Sequence, residues 1–311
     1  MKVAVTGATG FLGRALVREL DRQGHTVVCI SRSSFIKPDY LSKNTTFKKV
    51  DYERTESLVE ALVGCGAVVH LAGIAHSKAS KNDLERYRLG ICSATQNLIS
   101  AAMQGGTKIM IFASSIKVYG ESSNSITFFE DSTPTPKTLY GLCKLEAEGI
   151  VQAVEGKLAS VIFRFPPLYG PGMKGSVRHL FSAAKLRLPL PVHNFQHLRN
   201  FLYLGNAVSL LIASVEGNIK PGIYNVYDLQ SWTIGELYKQ IYVAVHNRPL
   251  PKLLAWVMPQ FLERYLAKVA WLSPLMLPFR LKSNFEMHWA KYVQIESKEA
   301  FLKTATMQHN C

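Results

Sequence analysis

Near its start the chain turns a strand into a helix within a few residues. A short apolar run, Val3 to Val5, breaks into Thr6-Gly7-Ala8-Thr9-Gly10-Phe11-Leu12-Gly13, and the amphipathic pattern Ala15-Leu16-Val17-Arg18-Glu19-Leu20 follows. Gly7 permits the turn, Gly10 lets a pyrophosphate approach the backbone, and Gly13 lets the helix pack closely on the sheet, so a dinucleotide phosphate can sit on the helix N-terminus. The spacing is Gly-x-x-Gly-x-x-Gly, not Gly-x-Gly-x-x-Gly. Such glycines also occur in ordinary strand-to-helix turns, and their place between a strand and a helix is what favours the nucleotide reading. Gly7, Thr9, Gly10, Phe11, Leu12 and Gly13 are therefore candidate cofactor-binding residues.

Beyond this turn, strand-like and helical runs alternate. Strands are expected over 2–6, 25–31, 47–50, 67–72, 108–113 and 158–164, and helices over about 13–23, 55–63, 84–103 and 140–154. Such alternation predicts a doubly wound α/β fold, a parallel Rossmann sheet of at least six strands with helices on both faces. The Pro/Gly-rich segment Pro166-Pro167-Leu168-Tyr169-Gly170-Pro171-Gly172 breaks the rhythm, and the sequence after Gln240 leaves it altogether. The expected organisation is a dinucleotide-binding domain over 1–165, to which 200–230 returns, and a smaller substrate-binding lobe made of 166–199 and 231–311.

Composition narrows the partners. The 311 residues are 48% hydrophobic, as in a soluble globular chain. The five cysteines form no Cys-x-x-Cys pair, and Cys29 and Cys92 lie in apolar patterns typical of reduced core thiols. With glycines interrupting the first apolar run, no signal peptide is expected, and the predicted location is cytoplasmic. The 36 Lys and Arg against 22 Asp and Glu leave a net charge of +14. No helix-turn-helix, zinc-finger or aromatic RNA-binding pattern accompanies it, so phosphate-bearing small ligands are preferred over nucleic acid. No metal site is expected. The apolar and basic run from Leu253 to Lys282 is interrupted too often for a membrane span, which leaves a substrate-lobe core or peripheral contact with an anionic membrane.

The second strand ends in Ile30-Ser31-Arg32-Ser33, where an acid would bond the adenosine ribose of NAD. Arg32 and Ser33 offer a cation and a hydroxyl suited to a 2′-phosphate instead, so NADP(H) is favoured and NAD(H) is the alternative. Asp51, with Tyr52 beside it, is an expected adenine contact.

The chemistry is expected at Ser115, which ends the fifth strand, and at Tyr140 and Lys144, which begin 25 residues later. Residues four apart share a helix face, which brings the ammonium near the phenol. A nearby cation should lower the phenol pKa and make it a usable acid or base, while Ser115 hydrogen-bonds the same carbonyl or hydroxyl and Lys144 anchors the nicotinamide ribose.

Taken together, these motifs make residues 1 to about 245 resemble the extended short-chain dehydrogenases/reductases, the NAD(P)-dependent nucleotide-sugar epimerases, dehydratases and reductases. The matching pieces are the glycine turn, Val69-His70-Leu71-Ala72-Gly73, Ser114-Ser115 before Val118-Tyr119-Gly120, Tyr140 with Lys144, Arg164 before Tyr169-Gly170-Pro171-Gly172, and Arg199-Asn200-Phe201-Leu202-Tyr203-Leu204. The resemblance implies a catalytic triad of Ser115, Tyr140 and Lys144, a cofactor lined by Leu71, Ala72 and Gly73, and Arg199 on the substrate diphosphate. It also implies a homodimer formed through the helices beginning near Leu84 and Tyr140.

Departures from the pattern select a reaction. Where 4,6-dehydratases carry Thr-Asp-Glu, this chain has Ser115-Ile116-Lys117, and dehydration lacks its carboxylates. Where hexose 4-epimerases have an Asn three residues after the sixth-strand arginine, Pro167 stands. Around 166–175 and 198–208 the closest resemblance is to bacterial reductases of UDP-4-keto-6-deoxy-N-acetylglucosamine, which makes Lys174 a candidate substrate contact beside a solvated-loop reading. The expected function is NADPH-dependent reduction of a nucleotide-linked 4-keto sugar for surface polysaccharide. The alternatives are a UDP-hexose 4-epimerase with tightly held NAD and a catalytically idle NADP-sensing protein. His70 is expected to end a core strand and His76 to lie in a loop; neither is a site residue. Ile91 stands where the family often has Asn, which weakens cofactor ordering there.

Overall fold

In the computed structural model, which describes residues 1–34, 36–73, 83–120, 127–190, 196–255 and 279–307, the glycine turn joins β1 (Lys2–Thr6) to α1 (Phe11–Arg22). There follow β2 (Thr26–Ser31), β3 (Thr45–Lys49), α2 (Thr55–Leu62), β4 (Ala67–His70), α3 (Asp83–Tyr87), α4 (Ala94–Gln104), β5 (Ile109–Ser115), α5 (Leu139–Gln152) and β6 (Ala159–Phe165). After α6 (Ser176–Lys185) and α7 (Leu204–Val215) comes β7 (Gly222–Asn225), and then α8 (Ile234–His246).

These strands form one parallel sheet in the order β7-β6-β5-β4-β1-β2-β3. The chain runs outward from β1 to β3 and then crosses back to β4 on the other side of β1. That reversal opens a crevice at the carboxyl ends of β1 and β4, where ligands of open α/β sheets bind. The seventh strand, beyond the six read from the sequence, pairs with β6 from Gly222↔Val161 to Asn225↔Arg164.

Side-chain alternation explains the layers. Val3 and Val5 pack on one face with Leu16, Val17 and Leu20 of α1 and Leu210 and Leu211 of α7. Ala4, between them, points to the other face with Leu58 and Leu62 of α2 and Leu98 of α4. Because both faces are covered, strands such as β4 (Ala-Val-Val-His) are buried throughout and read as continuous apolar runs. Each fully buried Val or Leu contributes roughly 1.5–3 kcal/mol. A third apolar cluster, with Phe181, Phe201, Trp232, Tyr238, Tyr242 and Phe301, joins α6 and α8 to the helix Ser297–Met307.

The single helix expected over 84–103 is interrupted. A π-helical turn, Arg88–Ser93, lies between α3 and α4, and the side chain of Thr95 donates back to the Ile91 carbonyl at 2.6 Å. One extra residue per turn re-aims the side chains that follow without altering the apolar pattern, so periodicity cannot reveal it. Most of the run from Leu253 to Lys282, His76 and Cys311 lie outside the described residues. Among the described residues no helix is long and apolar enough to cross a membrane, and Cys29, Cys65, Cys92 and Cys143 are buried free thiols.

Candidate active site

Two of the three glycines are fixed by contact with backbone. Gly7 has φ +68°, and a Cβ there would lie 2.8 Å from the Ala72 nitrogen; one on Gly13 would lie 2.1 Å from the Gly7 carbonyl oxygen. The turn thus presses on the end of β4 and α1 presses on the turn. Gly10 donates to the Gly7 carbonyl at 2.9 Å and caps α1 with extended backbone and no side-chain acceptor. The first amides of α1 are left for an anion, and the missing side chain at Gly10 leaves the approach open, so the residues present fit a dinucleotide phosphate. Thr9 is exposed, whereas Phe11 and Leu12 turn inward onto the third and first apolar clusters.

Beside the turn, a cavity of about 820 Å³ opens at the ends of β2, β3 and β4. Arg32, Asp51, Ala72 and Gly73, each expected from the sequence to contact a cofactor, line it together, with Leu71 packed behind against the first cluster. Ser33 is exposed, and its amide donates to the Ser31 hydroxyl at 3.2 Å. Lys49 and Arg86 also line the cavity and were not foreseen. Lys49 faces the site because β2 and β3 pair Ser31 with Lys49, a register that sequence spacing does not display.

The reaction end is assembled by close backbone approach. Ser115 caps the 3₁₀ turn Ile116–Tyr119, its hydroxyl accepting from the Lys117 amide at 3.2 Å. Thr138 caps α5 by accepting from the Gly141 amide at 3.1 Å. A Cβ on Gly141 would lie 2.4 Å from the Lys117 carbonyl oxygen, so only glycine lets α5 press against this turn. Consequently Tyr140 comes to face Ser115, whose hydroxyl favours the ionised phenol. One turn on, Lys144 is buried, donates from Nζ to the Ala113 carbonyl at 2.7 Å, and lies 6.0 Å from the Tyr140 ring centroid. A Cβ on Gly73 would stand 3.5 Å from the same Nζ, which joins the cofactor-lining segment to the triad.

Burial sets the protonation of this group. Desolvation pushes the Tyr140 phenol up to about 12, against the opposing influence of the Ser115 hydroxyl. It also pulls Lys144 down to about 8, while the Glu148 carboxylate draws it back up. The expected lowering of the phenol by Lys144 is therefore corrected: with the ammonium directed at the Ala113 carbonyl, desolvation wins and Tyr140 is held as a protonated donor.

Glu148 and Arg164 were not read as functional, yet they brace this end. Arg164 binds Glu148 at 2.7 Å, and through Nε at 3.1 and 3.2 Å, and reaches the Tyr119 hydroxyl at 2.6 Å and the Glu130 carbonyl at 3.1 Å. Ser114, next to Ser115, bonds the same carboxylate. The signal was the i, i+4, i+8 series Tyr140, Lys144, Glu148 on one helix face.

The two expected substrate contacts do not line this cavity. Lys174 is exposed on the loop before α6. Arg199 is buried, its backbone exchanges hydrogen bonds of 2.8 and 2.9 Å with Trp232, and its guanidinium lies 6.0 Å from the Phe279 ring centroid. Burial lowers its pKa to about 10. The Cys92 and Cys143 sulfurs and a Glu146 oxygen lie within 4.8 Å of one another. Their polar needs are met locally: Cys92 donates to Glu146 at 3.4 Å and Arg88 holds Glu146 at 3.1 Å.

Known proteins match this arrangement. The family described as NAD dependent epimerase/dehydratase matches residues 3–226. A UDP-glucose 4-epimerase of Vibrio cholerae is 29% identical over 83% of this chain and 78% of its own length. A dTDP-4-dehydro-6-deoxyglucose reductase of Escherichia coli is 26% identical over 77% of this chain and 80% of its own. Among solved structures, a UDP-N-acetylglucosamine 4-epimerase from Bacillus cereus superposes with a TM-score of 0.79 over 99% of both chains at 23% identity, a likeness of fold. The chain belongs to the NAD dependent epimerase/dehydratase family, within the extended short-chain dehydrogenases/reductases.

Proposed function

We propose that this protein reduces a nucleotide-linked 4-keto sugar with NADPH. The observation that carries the reading is the placing of Tyr140 and Ser115 beside the buried Lys144, in a site whose desolvation keeps the phenol protonated and whose positions 116 and 117 hold no carboxylate. When bound, the nicotinamide supplies a hydride. With a hydride so supplied to C4 of the sugar, the carbonyl π bond would break, Ser115 would hold the oxygen and Tyr140 would give it a proton. The ketone would thus be reduced at the expense of the bound dinucleotide, and the Tyr140 phenolate would regain its proton from solvent.

The phosphates would lie on the amides of α1 at Gly10, and the adenosine in the cavity lined by Asp51 and Ala72. Arg32, with Lys49 on the neighbouring strand, supports a 2′-phosphate and hence NADP(H). Arg199 and Lys174 are proposed to hold the substrate, with the cluster around α6 and α8 as its lobe. A second reading, a UDP-hexose 4-epimerase with tightly held NAD, is favoured by the Vibrio cholerae relative.

A panel of UDP- and dTDP-linked 4-keto sugars with NADPH or NADH separates the two. Stoichiometric NADPH oxidation supports the reductase, whereas interconversion of UDP-hexoses without net oxidation, by protein purified with NAD, supports the epimerase.

A further inference from the structure

His70 stands outside the triad, yet its surroundings are ordered in one direction. It ends β4, is fully buried, and lies in register with Thr6 on β1 and Phe112 on β5. Its Nδ1 is 2.6 Å from the Thr6 hydroxyl and its Nε2 is 3.1 Å from the Thr95 hydroxyl. Thr95 spends its hydrogen on the Ile91 carbonyl at 2.6 Å, so it can only accept from His70, which places the imidazole hydrogen on Nε2. Nδ1 must then accept from Thr6. Thr6 in turn accepts from the Ala72 amide at 3.1 Å. Read in this direction, every donor in the series Ala72, Thr6, His70, Thr95, Ile91 has an acceptor. The Ile91 side chain also stands near this segment, 3.9 Å from where a Cβ of Gly73 would lie.

We propose that this hydrogen-bond series fixes the segment 71–73 against the glycine turn and Lys144, making His70 and Thr95 positioning residues for the nicotinamide cofactor. The proposal rests on the reading of Ala72 and Gly73 as cofactor-lining. It gives the π turn a purpose, since that turn carries the Ile91 carbonyl on which the series ends, at the place where the family often has Asn. Burial beside Lys144 keeps the imidazole neutral, pushed down to about 3, as the single-proton tautomer requires.

The test reads cofactor binding apart from turnover. Titrating NADPH by its fluorescence, Thr95→Ser should stay within about twofold of wild type, whereas Thr95→Val and His70→Gln should raise Kd about tenfold. Turnover at saturating cofactor should change less than about threefold in all three. Wild-type Kd in both Thr95→Val and His70→Gln would overturn the proposal, as would Thr95→Ser failing to rescue. Histidine ¹⁵N shifts of the wild-type protein, with His70 assigned by its absence from His70→Gln, should show a neutral, Nε2-protonated ring from pH 5 to 8. An Nδ1-protonated or charged ring would overturn the series even if no variant folds. Tight NADPH binding with no ketosugar turnover would sink the proposed reaction but leave the series standing.

Discussion

The two ends of the cofactor crevice are built on opposite principles. At the reaction end, Lys144, Glu148 and Arg164 are almost wholly buried, and backbone pressed through Gly141 and Gly73 dictates where Ser115, Tyr140 and Lys144 sit. At the proposed adenosine end, Arg32, Asp51 and Glu53 are exposed beyond the ends of β2 and β3 and line an open cavity, with the Glu53 amide donating to the Asp51 carboxylate. The dry end fixes protonation states and geometry, and so the class of chemistry. The wet end, with its charges screened by solvent, would under the proposed function tune which dinucleotide is held, and by small margins.

If that contrast holds, losses should shrink from one end to the other. Replacing Tyr140 with Phe should lower turnover by about three orders of magnitude or more while the NADPH Kd stays within about twofold, in a steady-state assay paired with a binding titration. Retained turnover would dissolve the distinction at once. Next in size, Glu148→Gln leaves the Arg164 guanidinium buried without its counterion, and should cost about 3–5 kcal/mol of stability in denaturant unfolding. A cost below about 1 kcal/mol would mean that water reaches the pair.

The pH profile probes the dry end directly. Burial holds Lys144 near 8, so its ammonium is present below that pH and is lost as pH rises through it. The free-enzyme profile of kcat/KM should then fall about tenfold per unit above pH 8, and a flat profile to pH 10 would show a solvated lysine. The smallest effect belongs to the wet end. Arg32→Ala should reduce the NADPH-over-NADH preference about tenfold, as expected for one exposed phosphate contact, with turnover on saturating cofactor unchanged. An unchanged preference would move the phosphate site to Lys49 or Arg86.

The same contrast governs what was legible in the sequence. Gly7 and Gly13 could be read because each answers a local steric demand a few residues away, and Tyr140 with Lys144 because a helix repeats at four. Apolar runs marked six strands, since a parallel sheet covered on both faces leaves no polar side to confuse them. What escaped depends on elements far apart in sequence. Lys49 enters the cavity through pairing with β2, Gly141 matters because of the Lys117 carbonyl, and the π turn inserts a residue without disturbing the apolar pattern. The raised phenol pKa was misjudged for a related reason. A charge four residues away is visible in the sequence, whereas the desolvation that outweighs it exists only after folding.

The central claim is that hydride passes from a freely exchanging NADPH to C4 of a ketosugar as Tyr140 supplies the proton. Turnover of a UDP- or dTDP-4-keto sugar with 4-deuterated NADPH, followed by mass and NMR analysis of the product, measures this transfer. The account predicts one deuterium at C4 per molecule reduced, from whichever face of the nicotinamide the enzyme uses. Product that carries no deuterium from either face of the labelled cofactor, formed while added NADPH stays reduced, would contradict it and assign the site to internal hydride recycling.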